Sequence, residues 1–185
     1  MAETPSTMMP LGTDAPDFEL PDTVSGETVK LRDGNEYAGT VVLFICNHCP
    51  YVIHIAVPLA AMAKQYAEKG IRFIAISSND VDNYPADAPD KMKVNAEENG
   101  YVFPYLYDET QAVAKAYDAA CTPDIYLFDG NLKCVYRGQF DKSTPGNGLP
   151  ATGEALSNAL NALLAGEQIS EDQSPSVGCN IKWKA

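Results

Sequence analysis

The residues best equipped for covalent chemistry are Cys46 and Cys49, with Asn47 and His48 between them and Pro50 directly after. Thiols at this spacing lie within bridging reach, so the pair can pass between dithiol and disulfide. Residues 40–45 ahead of them form an unbroken β-branched and aromatic run, which is how a strand buried on both faces reads. Residues 46–69 have helical composition and are closed by Lys69 and Gly70. That junction places Cys46 near the expected N-cap, where free backbone N–H groups and the positive end of the helix dipole stabilise an anion. Such sites lower a cysteine pKa from about 8.5 to between about 3.5 and 7.5. Cys46 is therefore the expected attacking thiol. Cys49, one turn further in and less exposed, is the expected resolving thiol. His48, when protonated, would add to the stabilisation, and a stabilised thiolate favours the reduced form, so His48 argues for a more oxidising pair.

The other thiols and the second histidine carry weaker signals. Cys134 lies in an expected strand at residues 133–137 and is read as a packing residue. Cys121 and Cys179 are kept as accessory thiols. The first adjoins Thr122-Pro123 and is most simply a buried small residue; the second sits in a tail that either folds back as a further resolving group or stays a passive thiol. His54, two turns into the helix, is read as a helix-face residue, and Tyr105, Tyr107 and Tyr117 as core or contact aromatics. A zinc set of Cys46, Cys49, His48 and His54 is disfavoured, because His48 and Cys49 would project about 100° apart on a helix and no further CxxC or HxxxH completes a tetrahedron. Neither a metal nor an organic cofactor is assigned.

The elements that must position the pair follow from local pattern. Pro5, Pro10, Pro16 and Pro21 make residues 1–22 an extended arm that wraps the domain edge. Strands are expected at residues 28–31, 40–45, 71–77, 105–107, 125–128 and 133–137, the last two forming a hairpin about Asp129-Gly130-Asn131. Helices are expected at residues 90–99, ended by Gly100, at 110–117, and between Gly153 and Gly166, where Leu156, Leu160, Leu163 and Leu164 share a face. The polar stretch at 78–89 follows a strand C-terminus, the place where open α/β sheets hold ligands. Residues 23–166 are read as one domain and 167–185 as a C-terminal tail.

Thirteen basic against 25 acidic side chains give a formal charge of −12, which opposes phosphate backbones and anionic lipid surfaces, so nucleic acid and membrane are not expected partners. Five cysteines are an odd number, and no basic or apolar leader of signal length opens the chain, so the expected location is cytoplasmic, where a close cysteine pair is redox-active rather than a staple.

With these residues in place the chain resembles thioredoxin-fold oxidoreductases: a strand, CxxC, proline and helix, with Thr122-Pro123 later ahead of a strand. The segments APDFELPD, VFPYLYDETQAVAKAYDA and PDIYLFDGNLKCVYRGQ, with the ending PSVGCNIKWK, are similar to the peroxiredoxin-like branch, so the resemblance covers nearly the whole chain. It implies an α/β thioredoxin fold, a central mixed sheet flanked by helices, with an N-terminal extension and a C-terminal tail. It implies a cis proline at Pro123 facing the CxxC, and a groove in which Thr122 and Pro123 pair with the backbone of an extended substrate. Peroxiredoxins carry PxxxTxxC; aligned on Cys49, that motif meets Val42 in place of its proline and Cys46 in place of its threonine, and the family's arginine falls near Pro123. These departures favour thiol–disulfide exchange with protein or small-molecule disulfides and thiols, through Cys46, Cys49 and His48. A thiol-dependent peroxidase and a non-catalytic redox-sensing module remain the alternatives, and the oligomeric state is open.

Overall fold

In the computed structural model, which describes residues 3–185, the elements follow in the order β1 (Glu3–Pro5), β2 (Glu19–Pro21), β3 (Thr28–Lys30), β4 (Gly39–Phe44), α1 (Pro50–Ala67), β5 (Ile71–Ser77), a 3-10 turn (Pro85–Asp87), α2 (Pro89–Asn99), β6 (Tyr105–Tyr107), α3 (Ala112–Ala116), β7 (Cys121–Thr122), β8 (Asp124–Asp129), β9 (Cys134–Arg137), α4 (Glu154–Leu164) and β10 (Val177–Asn180). The first two residues of the expected arm lie outside the described part. Among the described residues no helix is long and apolar enough to cross a membrane.

The apolar run that leads to the cysteines is the middle of the molecule. β4 stands at the centre of a five-stranded sheet ordered β6-β5-β4-β8-β9, parallel to β5 and antiparallel to β8, and every one of its residues is buried. Because side chains alternate across a strand, Val41, Leu43 and Ile45 join one core while Val42 and Phe44 join the other. The first core is closed by α1, α2 and α4 through Leu59, Met92 and Leu160, and it contains Cys46, Cys49 and Cys179. The second is closed by α3 and by the N-terminal arm, whose Met9, Ala15 and Phe18 pack on Tyr117 and Phe128. The sheet is thus covered on both faces, as a mixed sheet with βαβ crossovers requires.

Two expected boundaries move. The long helix begins at Pro50 rather than at Cys46, with Cys49 as its N-cap at φ −69° and ψ 124°. A proline forces the residue before it out of the helical region and is itself pre-shaped for the first helical position, so Pro50 fixes the start. The helix expected at 110–117 is reduced to α3, because Gln111 takes a left-handed conformation at φ 65° and the Asp108 carboxylate accepts the first free N–H groups, from Val113 at 3.3 Å and Ala114 at 2.9 Å.

The C-terminal residues are not an appendage. β10 lies antiparallel between β1 and β7, and beyond it Ile181 is 1% exposed in the second core. Ile181→Ala is therefore expected to cost about 2–5 kcal/mol of global stability, the range for truncating a buried aliphatic side chain. Chemical denaturation of the reduced protein measures it; a change within about 0.5 kcal/mol, as for a surface position, would show that the tail packs independently.

Candidate active site

The turn between β4 and α1 is fixed by groups from two other elements, the 3-10 turn and β6. The backbone N–H of Asn47 donates to Asp87 Oδ1 at 2.8 Å, its side-chain amide donates to the Ala86 carbonyl at 2.9 Å, and its Oδ1 accepts the Tyr105 hydroxyl at 2.9 Å. Asp87 is fully buried; its Oδ2 accepts from Asn79 at 2.9 Å and lies 2.6 Å from Nδ1 of His48. The His48 ring stacks on Tyr84 with centroids 5.9 Å apart and planes 6° from parallel. His48 is thus held by an acid and an aromatic from the polar stretch at 78–89. The position of that stretch after β5 was legible, but Asn79, Tyr84 and Asp87 were missed: no spacing rule links residues that only the turn after β5 brings under the cysteines.

Four of the expected site residues converge at the start of α1. The Thr122–Pro123 bond is cis, as the resemblance implied. Thr122 Oγ1 lies 3.6 Å from Cys46 Sγ, and its carbonyl oxygen 3.3 Å from Cys49 Sγ. The two thiols of the pair are close enough to share a proton. The geometry also corrects the expectation for the cysteines: the N-cap belongs to Cys49, and Cys46 is not an exposed thiol, since the side chains are 1% and 0% accessible. What distinguishes Cys46 is that it lines a cleft of about 190 Å³ with Asn47, Val52, Ala56, Asn99 and Tyr101.

The charge distribution follows from these positions. The proton shared with Cys46, aided by the neighbouring Cys179 thiol, outweighs burial and holds Cys49 down at about 4. Cys46 is pushed well up, first because it keeps the proton it shares with Cys49, then by burial and by the negative charge of Asp87. Of the two sulfurs, these surroundings favour Cys49 as the anion.

The substrate edge expected beside Thr122 and Pro123 is already occupied. β10 pairs with β7 in the register Cys179 to Thr122 and Asn180 to Cys121, and brings Cys179 Sγ to 2.8 Å from Cys49 Sγ. Cys121 points away from the pair, against the Pro123 carbonyl at 3.5 Å, and burial pushes its thiol up. Cys134 is buried in β9, its thiol pushed up to about 11 by burial. His54 faces Ser143 at 2.8 Å. Among the described residues the donors close enough to share a cation are Cys46, His48 and Asp87, within 4.8 Å of one another; His54 is not among them.

A mixed sheet that delivers a cysteine pair to a helix start opposite a cis proline defines a redox protein of the thioredoxin fold. The AhpC/TSA family model matches residues 11–137, and the chain belongs to that family. In structure it is similar to an uncharacterized conserved protein from Geobacillus kaustophilus, at 57% identity over all of this chain and 97% of that one, with a TM-score of 0.97. A hypothetical protein from Sinorhizobium meliloti 1021 gives 44% identity over 98% and 99% of the two chains and a TM-score of 0.96. A putative thiol:disulfide interchange protein from Chlorobium tepidum shares the fold at 23% identity, 85% and 99% coverage and a TM-score of 0.65. No protein of curated function matches the sequence.

The position of the anion is measurable. Ultraviolet thiolate absorbance of the reduced protein should show one thiolate at neutral pH that is lost on acidification with a midpoint of about 4. It should be absent at neutral pH in Cys49→Ser. A midpoint near the free-thiol value of about 8.5, or a thiolate retained in Cys49→Ser, would place the charge elsewhere.

Proposed function

We propose that the chain is a thiol–disulfide oxidoreductase whose Cys46–Cys49 pair works as an acceptor of electrons from small thiols. The observation that carries this reading is that the two thiols differ in their surroundings: both are buried, but Cys46 lines a cleft and Cys49 does not, while Cys49 is the sulfur favoured as thiolate. In the oxidised pair a substrate thiolate entering the cleft attacks Cys46 Sγ, the Cys46–Cys49 bond breaks, and its electron pair leaves on Cys49. A sulfur of low pKa is the better leaving group. A second substrate thiolate then attacks the substrate sulfur of the mixed disulfide, a substrate disulfide departs, and Cys46 leaves with the electron pair and takes up a proton. Two electrons have moved from two thiols to the protein. The protein disulfide re-forms by the reverse exchange with a disulfide of higher potential, in which Cys49 attacks the mixed disulfide at Cys46.

His48 acts as a positioning group, keeping the Asn47 turn and Asp87 in register with Cys46. Asp87 opposes a second negative charge on Cys46, so the proton returns there when exchange ends. The cleft volume and the occupied edge beside Thr122 support small thiols and disulfides over extended polypeptides. The cytoplasmic setting expected from the sequence is retained as part of this reading.

Peroxide reduction is the second reading, favoured by one observation: Cys49, the low-pKa sulfur, occupies the place a peroxidatic cysteine would take. Against it, Val42, Cys46 and Pro123 replace the groups that would polarise a peroxide bond.

Equilibration with glutathione followed by mass spectrometry should give the pair a reduction potential clearly less negative than the about −270 mV of thioredoxin, because the reduced form is stabilised. Exchange with glutathione should fall to background in Cys46→Ser, and insulin should be a poor substrate. Rapid oxidation of the reduced protein by hydrogen peroxide with negligible glutathione exchange would establish the peroxidase instead.

A further inference from the structure

The C-terminal strand does at the site what an extended substrate would be expected to do. It lies along the backbone edge of β7 next to the cis proline, and it carries a thiol to the buried member of the pair. We propose that Cys179 is a third redox-active thiol, and that the disulfide of this site moves between Cys46–Cys49 and Cys49–Cys179. The proposal rests on the dithiol reading above and deepens it.

Three independent features place Cys179 there. The strand is pinned at both ends: Ser176 Oγ donates to the Pro123 carbonyl at 2.5 Å and its own carbonyl accepts from Ser6 at 2.8 Å, while past β10 the Ile181 N–H donates to Ala120 at 3.1 Å and Lys182 N–H to Asn79 at 2.9 Å. Cys179 is thereby a fixed group rather than a thiol on a loose tail. Its sulfur is 2.8 Å from that of Cys49, longer than the about 2.05 Å of a disulfide by less than the width of an atom, so bonding needs little more than side-chain rotation. Gly178 has the tightest approach in the chain: a Cβ there would lie 1.9 Å from the Thr122 carbonyl oxygen and 2.7 Å from its carbon. Only a residue without a side chain lets β10 come this close to β7.

The exchange balances without an added oxidant. Starting from the Cys46–Cys49 disulfide, Cys179 loses its proton and its thiolate attacks Cys49 Sγ; the Cys49–Cys179 bond forms, the Cys46–Cys49 bond breaks, and the electron pair passes to Cys46, which takes the proton. In the reduced protein Cys179 is held up at about 12, by burial first and then by its hydrogen bond to Cys49 and the Cys49 charge. Oxidation of Cys49 removes that charge and with it the last two of these causes, so Cys179 becomes a better nucleophile when there is a disulfide to attack. The product presents a thiol at Cys46 to the cleft and ties β10, and through it β1, covalently to the start of α1. Oxidised protein in that form no longer accepts electrons through the cleft.

The test is peptide mapping without reduction. Reduced Cys46→Ser, treated with the two-electron thiol oxidant diamide, should lose two of its four thiols (the native chain has five) and yield a peptide linking Cys49 to Cys179. The same link should form in Cys46→Ala, so loss of the fold in one variant leaves the test standing. Adding Gly178→Val, which pushes β10 away without touching a thiol, should lower the yield of the link at least tenfold. In the wild-type protein both the Cys46–Cys49 and the Cys49–Cys179 links should be found. A wild-type protein that forms no Cys46–Cys49 link would overturn the dithiol reading. One that forms it and cycles with glutathione, while neither Cys46 variant joins Cys49 to Cys179, would overturn this inference alone.

Discussion

A negative charge held on a buried sulfur is the constraint around which the site is arranged. Cys49 has no accessible surface, and an anion there is stable only if donors replace the water it lost. Pro50 supplies the condition for this by ending the extended segment at Cys49, so that the residue falls at the N-cap, beside the positive end of the helix dipole, while its carbonyl accepts the Val52 N–H at 3.0 Å. The side chains do the rest: the Cys46 and Cys179 thiols both adjoin this one sulfur, and the Thr122 hydroxyl stands against Cys46. A charged hydrogen bond is about twice as strong as a neutral one, which is how weak sulfur donors outweigh the desolvation of the thiolate.

The same charge dictates its surroundings. Asp87 is a second buried anion in the site, and it survives because Asn47, Asn79 and His48 are all turned towards it. Two negative groups on either side of Cys46 leave that thiol no favourable way to ionise at the same time, so the pair carries one charge rather than two. Charge and access are thereby separated between sulfurs one turn apart. A pair built this way is stable when reduced, and its disulfide is correspondingly ready to accept electrons.

Much of the frame was legible because local rules and tertiary context agreed. The run from Thr40 to Ile45 could only be a strand buried on both faces, and Gly100, left-handed at φ 69°, closes α2 where its composition put the end. The pair itself and the cis proline were legible from residue types and from resemblance. The errors share one cause: each concerns a contact made by chain far away. Helical composition ran back to Cys46, but the restriction that Pro50 places on its predecessor decided the start of the helix. Asp87 lies in the polar stretch whose place after β5 was legible, but nothing in that stretch singles out this carboxylate from its neighbours. The tail lacked any alternating pattern, since β10 has four residues and one is Gly178, so its strand could not be read, and the fold-back of Cys179 stood only as one of two alternatives before β7 was seen beside it.

Gly178 shows how far the tail is part of the site rather than a cover over it. A strand that merely shielded the thiolate from water could stand at the usual spacing of about 4.8 Å from β7 and carry any small side chain. Here the approach is closer than a Cβ permits, and the residue that follows it is a cysteine aimed at Cys49. The cost of glycine in a strand, lost packing and greater backbone entropy, is offset by a contact that only sulfur makes useful. Thr122 serves both sides of that contact, its hydroxyl facing Cys46 and its carbonyl facing Cys49 and the glycine. The cis proline edge, the helix start and the C-terminal strand are therefore one structural unit: displacing any of the three separates Cys49 from a group that contacts it.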